Sequence, residues 1–542
     1  MKILDRKLLF TAGYALKAVV GLTLINEAAL SKPFSIQLAQ PEKSDHTISP
    51  LIFGLGTYMG EEHTAANTWS LRPTYMRFGG NMAEVFNWRL DAWNTGSDWY
   101  FTNFKSEKPN LIDRFMAENQ RNSVAPAVVV PMMGWIAKDG SSGSFPESVY
   151  GKQVDSRGGF GNGLKITSRE KIIADPTRAL MPITQDWTRD LINHLKTRFG
   201  NFPHRYIIGN EPMLWHETHR DAHPTPATYD EVLTKFLVTA TTVRKTDPEA
   251  VIIGPALWGF LATQQSAFDE RGPWNQFRKF ADRDKHGGKA FLEWFLGAVN
   301  REERSTGLRL LDVVDVHFYP ANEEIRQKHP GLPEIRRKRM SAVKSLWDKN
   351  YEDDSWIKSK IYFIPRLRDV LSSINSSLKL AIGEYNFGAE EDISGAVALA
   401  ETLGVFAQEG LWSANYWTIP KENSPAYFAF KLFRNYDGLG SAFAPIFVKK
   451  SSFISDDLSI FTSYDPDKRL FTLAVTNKSQ TDDHELSLNS QLKNPPSSLR
   501  HFVYNEQHTD VIREIHEKMA PTGKEVLINI PRLSVNLIEI RI

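Results

Sequence analysis

The sequence contains no cysteine among its 542 residues, which excludes disulfide bonds, thiolate nucleophiles and cysteine-ligated metal centres. It also lacks an excess of either charge, because 65 basic and 64 acidic residues leave a formal net charge of +1. Nucleic-acid-binding proteins usually carry a clear basic excess, so we expect no nucleic-acid partner. Long hydrophobic runs are missing as well, since no uninterrupted apolar stretch reaches the ~20 residues that a membrane-spanning helix needs. We therefore expect no stable membrane span.

The N-terminal segment, residues 1–32, has two interpretations. Lys2, Arg6 and Lys7 precede the apolar stretch LLFTAGYALKAVVGLTL, an order typical of a secretory signal. Lys17 interrupts that stretch and no A-x-A cleavage site follows it, so a short amphipathic helix is the alternative. A signal predicts a secreted or periplasmic protein, whereas its absence predicts a cytoplasmic one.

From residue 51 onwards the sequence alternates between short apolar runs and longer helical patterns. Eight runs fit strands: LIFGLGTY (51–58), YMRFGGN (75–81), VAPAVVVPMMGW (124–135), RYIIGNEP (205–212), VIIGPALW (251–258), DVVDVHFYP (312–320), LKLAIGEYNFG (378–388) and ANYWTIP (414–420). Continuous apolarity indicates strands that are buried on both faces, as in a parallel sheet. Helical patterns such as QDWTRDLINHLKTRF separate most of the runs. Eight strand–helix units predict an α/β fold, a (β/α)₈ TIM barrel over residues 49–438.

The two ends of the chain predict a second, smaller all-β domain. Residues 439–542 contain short alternating runs separated by turns, such as LSIFTSYDPDKRLFTLAVTN, a pattern typical of a β-sandwich. Within residues 33–48, the stretch FSIQLAQ (34–40) is also strand-like, and chain ends often lie close together. We therefore expect residues 33–48 to contribute a strand to the C-terminal sandwich.

Two glutamates at the ends of barrel strands indicate the chemistry. Barrel enzymes place their active sites at the C-terminal ends of the strands, where the fourth run ends in Asn210-Glu211-Pro212 and the seventh in Glu384. Retaining glycosidases need two carboxyl groups about 5–5.5 Å apart, one acting as acid/base and the other as nucleophile. The residues predict such a pair across the barrel mouth, with Pro212 ending the strand and fixing the direction of Glu211.

Seven further side chains are candidates for binding substrate or for supporting the two glutamates. They are Arg77, Asn81, Trp88, Asn210, His317, Tyr319 and Trp417. Asn210 would hold a sugar hydroxyl, Arg77 and Tyr319 would keep the nucleophile ionised, and the two tryptophans would stack on sugar rings. Core packing remains the alternative for each tryptophan, and Arg77 and Asn81 could instead be structural partners inside the barrel mouth.

No motif specifies a metal or nucleotide site. The run HETHRDAH places His216, His219 and His223 close together, but it lacks the H-E-x-x-H spacing of zinc proteases. Helix capping or surface polar contacts are the simpler interpretation of these histidines. The metal ligands, if any, are therefore unknown from the residues, and we expect catalysis to require no cofactor.

Several long stretches resemble glycoside hydrolase family 44, within the clan of retaining (β/α)₈ glycosidases. They are RFGGNMAEVFNWRLDAWNTGSDWYF, GNEPMLWHETHRDAHPTPATYDE, GPALWGF, LLDVVDVHFYP and AIGEYNFGAEEDISGAVALAETLGVF. Members of this family are endo-acting β-1,4-glucanases, often active on carboxymethylcellulose and xyloglucan. The resemblance, over about residues 34–540, implies a β-1,4-glucan substrate, with Glu211 as acid/base and Glu384 as nucleophile. Phe78, Gly209 and Gly383 depart from it, since the family pattern leads us to expect Trp, an acidic residue and Thr there.

The resemblance carries further expectations and leaves alternatives open. Some relatives hold a structural calcium, for which ESVYGKQVD (147–155) could supply oxygens, although no ligand is identified. We expect a monomer. Another β-glycan, xylan or mannan, is the alternative substrate, and a glycan-binding protein without hydrolysis is the rival class. The presence of both glutamates disfavours the rival.

Overall fold

The computed structural model describes residues 33–57, 66–200, 202, 204–270, 280–490, 492, 496–515 and 525–542. The predictions made for residues 1–32 lie outside the described residues. Within the described ranges, no helix combines the length and the apolarity that crossing a bilayer requires.

Eight parallel strands close into a barrel in the order of the chain. They are β1 (Gly54–Thr57), β2 (Tyr75–Phe78), β3 (Ala125–Val130), β4 (Arg205–Ile208), β5 (Val251–Leu257), β6 (Val313–Val316), β7 (Lys379–Tyr385) and β8 (Ser413–Tyr416). β8 pairs with β1, where Asn415 lies opposite Gly54, and this pairing completes the barrel. Seven strands fall within an apolar run and β8 begins one residue before the run 414–420, so the predicted (β/α)₈ barrel is confirmed.

Helices follow the strands around the outside of the barrel. The longer ones are Leu111–Arg121, Gln185–Phe199, Tyr229–Thr246, Phe291–Thr306, Pro333–Ala342, Phe363–Ile374, Ile393–Gln408 and Pro425–Arg434. Three of these helices have an N-cap residue with a hydroxyl side chain. Thr184, Thr228 and Ser424 each accept a hydrogen bond from a backbone N–H group of the first turn. Shorter helices are Ala66–Ser70, Glu147–Tyr150, Trp215–Thr218, Phe260–Gln264, Ala267–Glu270 and Ala281–Lys285.

The second domain consists of two packed sheets. One contains Phe34–Leu38, His484–Ser490 and Glu525–Ile530. The other contains, in spatial order, His46–Thr47, Ile446–Phe447, Leu458–Asp465, Leu470–Asn477, Ser534–Arg541, Ser498–Asn505 and His508–Ile515, with Phe453–Ile454 paired beside it. Apolar side chains such as Ile36, Leu473 and Ile528 form a common core. The N-terminal strand pairs with residues 484–490, so the sandwich does draw on both chain ends as predicted.

The helix Ile393–Gln408 joins the two domains. It is buried on all sides, as expected of a helix with apolar residues around its whole circumference. Its one buried carboxylate, Glu401, meets Lys478 of the sandwich at 3.0 Å and accepts a 2.8 Å hydrogen bond from Ser459. A buried charge needs such partners, and this contact fixes the sandwich against the barrel wall.

Small antiparallel ribbons follow β2 and β3 on the side of the barrel where these strands end. Ala92–Asn94 pairs with Asn103–Lys105, and Trp135–Ala137 pairs with Leu180–Pro182. A further ribbon pairs Ser156–Arg157 with Phe160–Gly161. These ribbons surround the carboxyl ends of the strands, where the predicted site residues lie.

Candidate active site

A cavity of about 680 Å³ opens at the carboxyl ends of the barrel strands. Six of the predicted site residues line it: Asn81, Asn210, Glu211, Tyr319, Glu384 and Trp417. Arg77 and His317 are fully buried beside it. Arg77 donates a hydrogen bond to Glu384, and His317 is hydrogen-bonded to Glu211. Eight of the nine predicted residues are therefore brought together, although they come from five different strands or the segments that follow them.

Glu211 is held at the end of β4 in a left-handed backbone conformation, with φ of 44°. A non-glycine residue in this region costs on the order of 1 kcal/mol or more, so the surrounding structure must hold it. Its N–H donates to the carbonyl of Ala256 at 2.9 Å, and its own carbonyl accepts from Leu214 at 2.8 Å. Pro212 begins a short 3₁₀ turn directly afterwards. β4 ends at Ile208, so Pro212 does not end the strand as the sequence analysis expected; it begins the turn directly after Glu211, whose side chain lines the cavity.

Glu384 lies near the end of β7, where the pairing with β8 shifts register between Ile382 and Tyr385. One carboxylate oxygen accepts a hydrogen bond from Arg77, and the other accepts from the Tyr319 hydroxyl at 2.8 Å. Both oxygens are thus bonded to groups that favour the ionised form. Arg77 and Tyr319 hold this carboxylate in the manner expected from the sequence.

His317 links the two carboxyl groups. Its Nδ1 lies 2.8 Å from Oε1 of Glu211 and 3.5 Å from Oε2 of Glu384. Arg77 Nη2 approaches the other ring nitrogen, Nε2, at 3.3 Å. A guanidinium offers only donors, so Nε2 accepts from Arg77 when the ring is neutral, while Nδ1 donates to Glu211. Burial alone would lower the pKa of His317, but the charge of Glu384 and the hydrogen bond to Glu211 raise it above its ordinary value, which favours the positively charged ring beside the two carboxyl groups. One oxygen of Glu211 and one of Glu384 lie within 4.8 Å of each other.

The two glutamates have opposite electrostatic surroundings. Burial raises the pKa of Glu211, and the neighbouring charge of Glu384 raises it further, against the opposing effect of its His317 hydrogen bond. Burial alone would raise the pKa of Glu384 too, but His317 and Arg77, with the hydrogen bonds from Arg77 and Tyr319, bring it below the ordinary value. Two carboxyl groups whose pKa values are driven apart are suited to separate acid and nucleophile roles.

Asn210 is positioned by a buried carboxylate that the sequence analysis missed. Its side-chain oxygen accepts from Arg77 at 2.8 Å, and its N–H donates to Glu84 at 2.5 Å. Glu84 also accepts from the N–H groups of Met132 and Met133, at 2.7 and 2.6 Å. Burial raises the pKa of Glu84 to about 7. Glu84 thus ties β4 to the segment that follows β3, but it lies within a 3₁₀ turn rather than at a strand end, so its place in sequence gave no signal.

Trp417 forms one wall of the cavity and packs against two glycines. A Cβ atom on Gly56 would lie 2.5 Å from the indole ring, and one on Gly80 would lie 2.6 Å from it. Gly80 also has φ of 83°, a conformation that favours glycine. The indole can lie flat along the cavity only because both positions lack a side chain.

Trp88 does not line the cavity, so its predicted stacking role has no support here. Its ring packs on His194 of the helix Gln185–Phe199, with ring centres 4.7 Å apart, and lies under Arg89. Trp88 follows β2 in sequence, but at this point the chain lies against the outer helix Gln185–Phe199 and not at the cavity. Core packing, the alternative interpretation, describes this residue.

Among the other residues that line the cavity, three have side chains suited to binding a sugar although the sequence did not single them out as binding residues. Trp258 follows β5, Asp98 lies at the tip of the ribbon after β2, and Trp356 lies in the segment between the two helices that follow β6. Trp356 is 50% exposed, which is unusual for tryptophan and suits a surface for sugar stacking. Trp258 could have been predicted as a cavity residue because it directly follows β5. Asp98 and Trp356 lie in longer connecting segments, and whether these extend to the cavity cannot be read from the local sequence.

Among the described residues, one group of three histidine or carboxylate side chains has donor atoms close enough for a single ion: Glu211, His317 and Glu384. Arg77 already supplies a positive charge to this group through its bond to Glu384, so the donor set fits acid–base chemistry better than a metal. The oxygens of residues 147–155 stay a prediction as calcium ligands. Asp155 there accepts from the Tyr100 hydroxyl at 2.9 Å.

Comparisons with known proteins agree with this geometry. The sequence profile of glycoside hydrolase family 44 matches residues 92–322. The chain is 29% identical over 530 residues to Endoglucanase A of Paenibacillus lautus, covering 91% of this chain and 69% of that protein.

Two solved structures extend the similarity to the whole fold. CelM2, a bifunctional glucanase-xylanase from a metagenome library, shares 30% identity at a TM-score of 0.86, covering 94% of this chain and 98% of CelM2. A Paenibacillus polymyxa xyloglucanase from glycoside hydrolase family 44 shares 25% identity at a TM-score of 0.76, covering 94% and 99%. With two glutamates facing each other across the mouth of such a barrel, the chain belongs to glycoside hydrolase family 44.

Proposed function

We propose that this protein is a retaining, endo-acting β-1,4-glucanase, with Glu384 as nucleophile and Glu211 as acid/base. One observation carries the proposal: the two carboxyl groups lie close together in opposite electrostatic surroundings. Their nearest donor oxygens lie within 4.8 Å. A retaining enzyme needs carboxyl groups about 5–5.5 Å apart, whereas an inverting enzyme needs about 6.5–9.5 Å to admit a water molecule.

In the first step Glu384 attacks the anomeric carbon and forms a glycosyl ester. Glu211, kept protonated by its burial, gives its proton to the departing glycosidic oxygen, and the bond to the leaving chain breaks. Before the attack, Arg77 and Tyr319 stabilise the ionised carboxylate of Glu384 through their hydrogen bonds; its negative charge is lost when the ester forms. Asn210 lies next to Glu211, where its amide can bond to a hydroxyl of the reacting sugar.

In the second step Glu211, now ionised, removes a proton from water. The resulting hydroxyl attacks the anomeric carbon, the ester bond to Glu384 breaks, and both glutamates return to their starting states. His317 contacts both carboxyl groups, so it stays bonded to the site while the negative charge moves from Glu384 to Glu211.

The proposed substrate class is a cellulose-type β-1,4-glucan, with xyloglucan as a further substrate. Support comes from the aromatic walls of the cavity, Trp258, Trp356 and Trp417, and from the names of the similar proteins. The bifunctional name of CelM2 makes xylan the second candidate. Reducing-sugar release from a panel of soluble glucan, xyloglucan, xylan and mannan would rank these substrates directly.

The stereochemistry of the product tests the mechanism. Two displacements at the anomeric carbon invert it twice, so the first product formed should be the β-anomer. Proton NMR spectra recorded within the first minutes of hydrolysis, before mutarotation, will show which anomer appears first. An α-anomer at early times would contradict the assignment of Glu384 as nucleophile.

The shape of the cavity predicts internal cleavage. A second cavity of about 720 Å³ continues from the first, and Tyr319, Arg326 and Trp417 line both. A cleft that extends past the catalytic group binds chain interiors, so the viscosity of a soluble β-1,4-glucan should fall well before reducing ends accumulate. Parallel viscometry and reducing-end assays measure this. Steady release of glucose with nearly constant viscosity would instead indicate an exo-acting enzyme.

A further inference from the structure

The second cavity has a charge pattern that catalysis does not explain. Two cations, Arg326 and Lys328, line it, both exposed, and the described residues give neither of them an ion pair. Two carboxylates, Glu390 and Glu391, line the same cavity, so what sets the two cations apart is that they lack a described ion pair. Because Tyr319 and Trp417 line both cavities, the cations lie along the same cleft as the catalytic glutamates.

The acidic groups in this second cavity already have partners. Glu390 accepts from the Asn386 amide at 2.6 Å and from the Tyr416 hydroxyl at 3.1 Å. Glu391 forms an ion pair with Lys421 at 3.1 Å. Lys328 lies near enough to Glu390 to favour its ionised form, although burial raises the pKa of that carboxyl overall. Neither Arg326 nor Lys328 forms a described ion pair with these carboxylates, so both side chains can still contact a ligand.

The cations stand on a segment that the protein holds in place, which we call the basic loop (residues 325–330). Arg339 is completely buried beneath it and donates to the carbonyls of Ile325 at 2.9 Å and Pro330 at 3.0 Å. The N–H of Ala389 donates to the carbonyl of Gln327 at 2.8 Å. Both ends and the middle of the loop are therefore bonded to other parts of the barrel domain, which keeps the backbone that carries Arg326 and Lys328 beside the cleft.

We propose that the basic loop binds carboxylate groups carried by the glucan chain, and that the enzyme thereby prefers acidic, carboxylate-substituted β-1,4-glucans over neutral ones. Guanidinium and ammonium groups are the usual protein partners of carboxylates. The cellulose-type backbone binds along the aromatic walls, and Arg326 and Lys328 contact substituents that project from it. This inference rests on the proposed glucanase activity.

The test compares two soluble polymers with the same backbone, carboxymethylcellulose and hydroxyethylcellulose, matched in length and degree of substitution. The measured quantity is the ratio of kcat/KM on the charged polymer to kcat/KM on the neutral one. R326Q/K328Q should lower this ratio about fivefold, since exposed charge pairs contribute up to ~1 kcal/mol. Raising the salt from about 20 mM to about 500 mM should lower the wild-type ratio and leave that of R326Q/K328Q unchanged.

The matched control is K245Q/R304Q. Both residues are exposed cations without a described ion pair, but they lie in the last turns of outer helices, towards the far end of the barrel. This control removes the same charge and should keep the wild-type ratio. An unchanged ratio in R326Q/K328Q, or an equal fall in both variants, would overturn the inference. Failure of the wild type to cleave either polymer would overturn the proposed function itself.

Discussion

Replacing Glu384 with glutamine is expected to lower kcat on a soluble β-1,4-glucan by at least about 10⁴-fold, as loss of a catalytic nucleophile commonly does. The amide cannot form the glycosyl ester, and Arg77 loses the negative charge that it faces. The change removes little volume, and the amide oxygen can still accept from Arg77 or Tyr319, so the fold should persist. Initial rates of reducing-sugar release measure the loss, and circular dichroism with thermal melting measures the fold.

Glu323 offers a matched control for this substitution. It is exposed and lines the same cavity, but no hydrogen bond or ion pair of its side chain is described. Glu323→Gln should therefore keep kcat within about threefold of wild type, as for surface changes that touch no special feature. Near-wild-type activity of Glu384→Gln on every glucan, with the control unaffected, would show that the nucleophile lies elsewhere.

The barrel was predictable because its strands are mostly apolar and buried. A strand buried on both faces is recognised from its continuous apolar sequence alone, without knowing which strands it pairs with. All eight apolar runs contain a barrel strand. Polar residues at the end of such a run are not needed for packing the barrel core. That contrast is why Glu211 and Glu384 stood out in the sequence as candidate catalytic residues.

Residues on loops could not be placed in the same way. Trp88 and Trp356 both follow barrel strands, but one packs on an outer helix and the other faces the cavity. The direction of a side chain after a strand depends on the tertiary path of the loop, which local patterns do not encode. For the same reason Glu84, which holds Asn210, and Asp98, at the tip of a ribbon, were missed.

The departures from the family pattern have local structural reasons. A Cβ atom on Gly383 would lie 2.3 Å from a carboxylate oxygen of Asp315, which occupies the space that a larger residue would fill. Gly209 has φ of 70° and lies against the side chain of Met132. Phe78 packs on two neighbouring phenylalanine rings. In each case the surroundings accommodate the residue, and the bonds to the two glutamates are kept.

Replacing Glu211 with glutamine should separate the two steps of the reaction. On a polymeric glucan the leaving alcohol needs a proton, so kcat should fall by about 10²–10⁴-fold, the usual contribution of a general acid. An aryl glycoside with a good leaving group needs little protonation, so formation of the glycosyl ester should stay fast while its hydrolysis becomes slow. A rapid burst of released phenol followed by a slow steady rate is therefore expected in stopped-flow measurements.

The pH dependence of the same variant provides the independent check. The lowered pKa of Glu384 and the raised pKa of Glu211 predict a bell-shaped profile for the wild type. Activity falls at low pH as Glu384 gains a proton, and at high pH as Glu211 loses one. On the aryl glycoside, Glu211→Gln should keep the acidic limb of kcat/KM and lose the alkaline limb. Added azide, which needs no general base, should accelerate turnover and give the β-glycosyl azide. An unchanged alkaline limb, with no burst and no effect of azide, would mean that another residue is the acid/base.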